Sequence, residues 1–200
     1  MCKMQFTHEE SSLYFMTITA ACWCVFYGYW LLKARQTKDN IYVQGLFDRV
    51  IARVWIITVF ALLYFPQLSV GWAGYRILPQ SNALGIVADV ICAAGVAFSI
   101  WARSILGGNW SGAVTIKKDH EIVMRGPYRF VRHPIYTGYL FATLGSALAV
   151  GEVRGAVALA MIFAGIIWKM GVEEKLLSKH FPDIYPAYRK RIKRLIPFVM

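Results

Sequence analysis

The sequence predicts an all-α integral membrane protein, with five transmembrane helices and a C-terminal cytoplasmic, interfacial helix. Three observations carry this expectation. The 200 residues are 58% hydrophobic and only 16% charged, whereas soluble domains run near 45–50% apolar and about 25% charged. Apolar runs of about 20 residues, the length that crosses a bilayer, recur along the chain. The basic residues between those runs fall almost entirely on alternate connections. At this length, residues 1–200 form a single membrane domain.

The spans follow in order. Residues 12–32, SLYFMTITAACWCVFYGYWLL, contain no charge. Residues 50–70 carry Arg53 near their start and Pro66 near their end, and residues 83–102 carry one acid, Asp89. Residues 135–151 and 155–172 are separated by a few residues around Glu152, so they form a tight helical hairpin. The first run is read as a span rather than a cleaved signal, because Glu9 and Glu10 precede it and its apolar stretch exceeds the usual signal length. The PFVM ending has no prenylation cysteine.

Orientation follows from charge. Segments 33–53, 103–134 and 169–200 share one side of a five-span chain and hold 19 of the 22 Lys and Arg residues. Cytoplasmic connections are enriched in these residues, which places the N-terminus outside and the C-terminus inside. The net charge of +11 therefore points to anionic membrane lipids rather than to nucleic acid. In the tail, Tyr185, Tyr188, Ile192 and Leu195 recur at helical spacing among Arg189, Lys190, Arg191, Lys193 and Arg194. That pattern is expected of a helix lying in the membrane interface. Cys22 and Cys24 match no zinc spacing, so no metal site is expected.

The polar residues concentrate where the hairpin begins and ends. Arg129, Arg132, His133 and Tyr136 stand at the threshold of the fourth span, and Lys169, Glu173 and Glu174 at the exit of the fifth. The hairpin brings these two groups side by side at the cytoplasmic surface. Each residue alone has an ordinary reading: positive-inside anchors for the arginines, a helix start at Pro134, helical ion pairs for the glutamates, interfacial tyrosines. Their coincidence at one membrane depth, joined by a connection of some 30 residues, favours a site. Asp89, inside a span, is expected to pair internally and is not placed in it.

HEIVMRGPYRFVRHPIYTG, then VEEKLLSKHFPDIYPAYRKR and RLIPF, resemble the isoprenylcysteine carboxyl methyltransferase family of integral membrane enzymes. The family pattern runs H-x-L-V-x-x-G-x-Y, R-H-P-x-Y-x-G, a span hairpin, E-E, F-G-x-x-Y-x-x-Y and a basic stretch ending near L-P-F. The resemblance covers about residues 109–198, the expected cofactor-binding part. It implies use of S-adenosylmethionine, with cofactor contacts from His120, Glu121, Ile122 and Val123, from Tyr128, from His133, Pro134, Ile135 and Tyr136, and from Glu173. Arg132 and Glu174 fall in the same blocks and join Lys169 and Glu173 as candidate catalytic residues. Lys169 stands where the eukaryotic enzymes use an arginine to contact substrate, so the charge persists without the bidentate fork. Pro182 replaces the usual glycine.

The residue chemistry agrees. Arg132 or His133 can bind a carboxylate, Glu173 an ammonium or ribose, and Tyr128 and Tyr136 a flat ring or a sulfonium. No G-x-G-x-x-G follows a strand, which argues against a Rossmann site. Methyl transfer needs alignment and exclusion of water. A carboxylate acceptor, already ionised, needs a cation such as Lys169 or Arg132; an amine acceptor needs a base such as Glu173, Glu174 or His133. The expected partner is a lipophilic or prenylated substrate reached from the bilayer. The rivals are a phospholipid or amine N-methyltransferase, an NADPH-dependent enzyme of the sterol-reductase type, and a small transporter subunit. A transporter would want polar residues across the whole membrane, and here they gather on one side.

Overall fold

A computed structural model describes residues 8–34, 40–43, 45–111, 115–117 and 121–197. Five long helices coincide with the five apolar runs: α1 (His8–Lys33), α2 (Leu46–Tyr64), α3 (Asn82–Leu106), α4 (Pro134–Val150) and α5 (Val153–His180). A short α6 (Ile184–Arg191) follows α5. Two strands that the sequence did not suggest, β1 (Asn40–Val43) and β2 (Thr115–Lys117), pair antiparallel between the α1–α2 and α3–α4 connections.

Stretches Leu13–Lys33, Asn82–Asn109 and Val153–His180 are long and apolar enough to cross a membrane, and α4 is a shorter apolar helix. Asp48, Arg49 and Arg53 sit in the first two turns of α2 and dilute its apolar character. The expected second span, 50–70, ends early. Pro66 cannot continue a helix and biases the residue before it towards extended backbone, so α2 stops at Tyr64 with Phe65 extended. The fifth helix runs eight residues beyond the expected 172, because VEEKLLSKH keeps a helical apolar spacing after the apolar run ends.

Helices α3 and α4 pack closely because small residues face each other. A Cβ at Gly138 would fall 2.5 Å from the Gly95 carbonyl oxygen, and one at Gly145 would fall 2.5 Å from the Ala88 carbonyl oxygen. Membrane helices associate through such small-residue contacts, since lipid supplies no hydrophobic drive between them. Ser146 on α4 accepts from Trp23 Nε1 of α1 (2.9 Å) and meets the Tyr64 hydroxyl of α2 (2.9 Å), tying three helices together. Val59, Leu63, Ala158, Ile162, Ile166 and Met170 form the α2–α5 core, which Leu195 of the tail also enters.

At the hairpin end, Arg154 donates to Glu152 (2.7 Å) and to the Leu62 and Leu63 carbonyls at the end of α2 (2.6 and 3.1 Å). The pairing expected of Asp89 is not seen: its Oδ1 is buried with no hydrogen-bond partner among the described residues.

The expected interfacial helix is also different. α6 covers only 184–191, and its tyrosine stripe faces the protein: Tyr185 and Tyr188 are buried. Beyond Ile192 the chain is extended and lies parallel to the segment before α4, with Val131 bridged to Lys193. The apolar stripe is thus covered by the bundle and not by lipid.

Candidate functional site

The residues just before α4 are set by backbone pairing with the tail. The Arg132 amide donates to the Lys193 carbonyl (2.8 Å) and the His133 amide to the Arg194 carbonyl (3.0 Å). Thr137 Oγ1 donates to the Leu195 carbonyl (2.9 Å). Pro134 occupies the first turn of α4, where a missing N–H leaves no bond unmade. Upstream, Gly126 takes a left-handed φ of +59° to enter a single 3-10 turn, which buries Pro127 and Tyr128.

Glu173 and Glu174 are adjacent on α5, and neighbours on a helix point about 100° apart. They therefore serve different places. Glu174 is 2% exposed. Its Oε1 accepts from Arg132 Nε and Nη2 (2.9 and 2.7 Å) and lies 3.2 Å from His133 Nε2. Its Oε2 accepts from Arg194 Nε and Nη2 (3.1 and 2.9 Å). A carboxylate offers only acceptors here, so Nε2 is the nitrogen of His133 that carries the proton. Arg132 completes its bonding through Nη1, which donates to the Arg189 (3.1 Å) and Ile192 carbonyls. Four of its five N–H groups are thereby donated within the protein.

Glu173 faces the other way. Its Oε2 accepts from the Tyr136 hydroxyl (2.9 Å) and lies 3.7 Å from His133 Nδ1. Tyr136 stacks on the His133 ring, 5.6 Å between centroids, and the Lys169 ammonium lies 5.6 Å over the Tyr136 ring.

Arg132, His133, Tyr136 and Glu173 border an open-mouthed cleft. Of the residues expected from the sequence, Glu121, Ile122, Val123 and Tyr128 line it from the connection before α4. Arg132, His133, Ile135 and Tyr136 line it from the start of α4, and Glu173 from α5. Pro134, Lys169 and Glu174 do not line it: Pro134 is buried in the first turn of α4, Lys169 lies behind Tyr136, and Glu174 is enclosed by its arginines. His120 lies outside the described residues.

The sequence did not single out Leu106 at the end of α3, Asn109, Trp110 and Ser111 just after it, Leu176 and Leu177 on α5, or Tyr185 and Tyr188 of α6 as lining. The leucines were findable, being three and four residues beyond Glu173 and so on its helix face. The tyrosine stripe was visible in the sequence, but its direction was not.

Among the described residues, several buried polar atoms at the cleft have no hydrogen-bond partner. Tyr128 is 6% exposed with its hydroxyl unbonded, and Asn109 Oδ1 is likewise buried without a hydrogen bond. Burial and the nearby Glu173 raise the Tyr128 pKa well above that of an ordinary phenol. Burial raises that of Tyr188 to about 12, against the opposing pull of Arg132. Both stay protonated at neutral pH, and Tyr188 donates to the Tyr128 carbonyl.

Comparisons with known proteins agree with this arrangement. The chain is 33% identical over 100 residues to protein-S-isoprenylcysteine O-methyltransferase of Schizosaccharomyces pombe, across 46% of this chain and 41% of that protein. It is 24% identical over 193 residues to a probable protein-S-isoprenylcysteine O-methyltransferase of Oryza sativa subsp. indica, across 90% of this chain and 94% of that one. The chain spans under half the length of the first curated relatives it matches. Its fold is similar to that of a eukaryotic intramembrane Ras methyltransferase, with a TM-score of 0.64 at 19% identity, over 98% of this chain and 70% of that structure. A family model for phospholipid methyltransferases matches residues 84–184, from the start of α3 to the start of α6, which is just over half the chain. With the cleft, the fold and that match in agreement, the chain belongs to the phospholipid methyltransferase family, and the likeness of its sequence to the isoprenylcysteine carboxyl methyltransferases holds.

Proposed function

We propose that this protein transfers a methyl group from S-adenosylmethionine to the carboxylate of a lipophilic acceptor, an isoprenylcysteine or a molecule of similar build, at the cytoplasmic face of a membrane. The observation that carries the reading is the division of labour between the two glutamates. Glu174 absorbs Arg132 and Arg194, so the charge presented to the cleft from α5 is the Glu173 carboxylate. A cationic ligand suits such a cleft. The unbonded Tyr128 hydroxyl and Asn109 Oδ1 are a donor and an acceptor awaiting a polar ligand, and they fit the ribose and adenine of that cofactor. When bound, S-adenosylmethionine supplies an electrophilic methyl group on a sulfonium.

The chain's own residues do the rest by placement. His133 and Tyr136 hold Glu173 from two sides, fixing where it meets an ammonium or hydroxyl. Leu176, Leu177 and Ile135 exclude water from the same wall. Lys169 lies over the Tyr136 ring, four residues before Glu173 along α5. There its ammonium is a counter-charge for an acceptor carboxylate, which is ionised at neutral pH and needs no base. An amine acceptor, protonated before reaction, would meet repulsion from the same group, and this favours the carboxylate.

The reading takes all five long helices as spans, with the N-terminus outside and the cleft inside. The test is a calorimetric titration of the purified protein with S-adenosylhomocysteine, with NADPH in parallel. Saturable binding of S-adenosylhomocysteine that is lost in Glu173→Ala is expected, as is turnover of a prenylated cysteine that falls in Lys169→Ala. Binding of NADPH alone would replace the reading with a reductase.

A further inference from the structure

The tail is far more basic than the site requires. Five of the six residues at 189–194 are Lys or Arg, and from 175 to 200 the one acid is Asp183. Arg194 and Arg189 reach Glu174, at 2.9 and 3.9 Å. Lys190, Arg191 and Lys193 point outward, exposed, with no ion pair among the described residues. Exposed apolar side chains border them: Ile184 on α6, Ile196 beyond it, and Phe130 on the segment that the tail pairs with. Only three residues separate α5 from α6, which keeps this face close to the bilayer that α5 enters.

We propose that Lys190, Arg191 and Lys193 form a docking surface for anionic phospholipid headgroups of the surrounding bilayer, and that headgroups seated there brace the cleft. Charge complementarity selects the occupant. Each Lys or Arg near an anionic lipid surface strengthens association about fivefold, and a basic face rimmed by apolar residues is the composition of a segment resting on headgroups. The coupling follows from the backbone. The carbonyls of Arg189 and Ile192 hold the Arg132 side chain, and those of Lys193 and Arg194 hold the Arg132 and His133 amides. Repulsion among Lys190, Arg191 and Lys193, which have no ion pair among the described residues, works against the docking of the segment that carries those carbonyls. Anionic headgroups on the outer face cancel that repulsion and press the segment home. This deepens the proposed function by naming a regulator of the same cleft, and the exchange measurement below does not depend on methyl transfer.

The experiment uses the full chain in phosphatidylcholine nanodiscs and in nanodiscs doped with phosphatidylglycerol. It reads hydrogen exchange at the Arg132 and His133 amides and, separately, S-adenosylhomocysteine affinity. Anionic lipid should slow exchange about tenfold and raise affinity in the same direction. High salt, or the combined Lys190→Gln, Arg191→Gln and Lys193→Gln variant, should abolish the difference between the two nanodiscs in both readouts. Equal exchange in the two nanodiscs, or a variant that still responds to lipid, overturns the proposal. So does equal slowing by soluble polyphosphate in neutral nanodiscs, which would make the face a general anion site. An exchange response without any S-adenosylhomocysteine binding would keep the lipid surface and remove the methyltransferase reading. Binding that ignores lipid, with unchanged exchange, would do the reverse.

Discussion

Glu173 and Glu174 are neighbours in the chain and have opposite surroundings, so the same substitution at each should be felt in different measurements. In Glu174→Gln, Arg132 and Arg194 lose the charge that balances them. Removing one partner of a buried ion pair costs about 3–5 kcal/mol. A thermal melt should fall by on the order of 10 °C. Glu173, partly exposed and bonded to Tyr136, should behave differently. Glu173→Gln is expected to melt within about 2 °C of the unmodified protein, while its affinity for S-adenosylhomocysteine drops about tenfold or more with the lost charge-assisted bonds. Equal melting temperatures for the two variants would refute the division between them. At this scale the sequence was informative about membership and silent about direction. Arg132, His133, Tyr136, Lys169 and both glutamates were expected at one place and they meet there. Which glutamate faces the cleft depends on the rotation of α5 against α4, which is set by packing and not by local pattern.

Among the elements, α3 and α4 make the closest pair, and Gly145 lies within their contact. An alanine favours a helix over a glycine by about 1 kcal/mol, so Gly145→Ala would stabilise an open helix face. Here the new methyl would sit 2.5 Å from both the Ala88 carbonyl oxygen and the Cys92 amide nitrogen. Those are backbone atoms of a packed helix and cannot step aside cheaply. Overpacking of this kind costs about 1–3 kcal/mol, which outweighs the propensity gain, and a melt should show a net loss of a few degrees. A gain would mean that α3 and α4 can separate freely. Such pairs were hidden in the sequence, because a glycine in an apolar run does not announce which helix approaches it. The apolar runs themselves were legible from composition, and Pro66 marked the end of α2 although the apolar run continues past it. The tail misled because Tyr185 and Tyr188 would present the same stripe to a bilayer or to a protein wall. The four-residue pairing of 192–195 with the start of α4 gives no periodic signal at all.

For the whole molecule, the charge asymmetry makes a definite claim. In the sequence, 19 of the 22 Lys and Arg residues fall in segments 33–53, 103–134 and 169–200, and the last two of these contribute most of the residues of the cleft, so the cleft end is expected to face the cytoplasm. In a background with the native cysteines replaced, a membrane-impermeant thiol reagent applied to intact cells should label Trp72→Cys, an exposed position at the opposite end. It should label Lys190→Cys only after the cells are opened. The reverse pattern would turn the protein over and place the cleft outside, against the proposed use of S-adenosylmethionine from the cytoplasm. The ion cluster of Arg154, Glu152 and Arg76 explains why two of the few basic residues at the other end do not weaken this bias. Both are bound to an acid there.

The tail also sets an order of events. Leu195 is 1% exposed in the α2–α5 core, and the carbonyls around it finish the bonding of Arg132 and His133, some 60 residues earlier in the chain. α5 ends at His180, so residues 189–195 are added to the chain only after all five long helices have been made. Until then the Arg132 guanidinium has Glu174 but none of its carbonyl acceptors, and the cleft lacks the wall made by Tyr185 and Tyr188. A nascent or prematurely terminated chain can therefore be fully inserted and still be unable to bind its ligand. Membrane insertion and competence are separate milestones, and the second waits on a stretch of four residues.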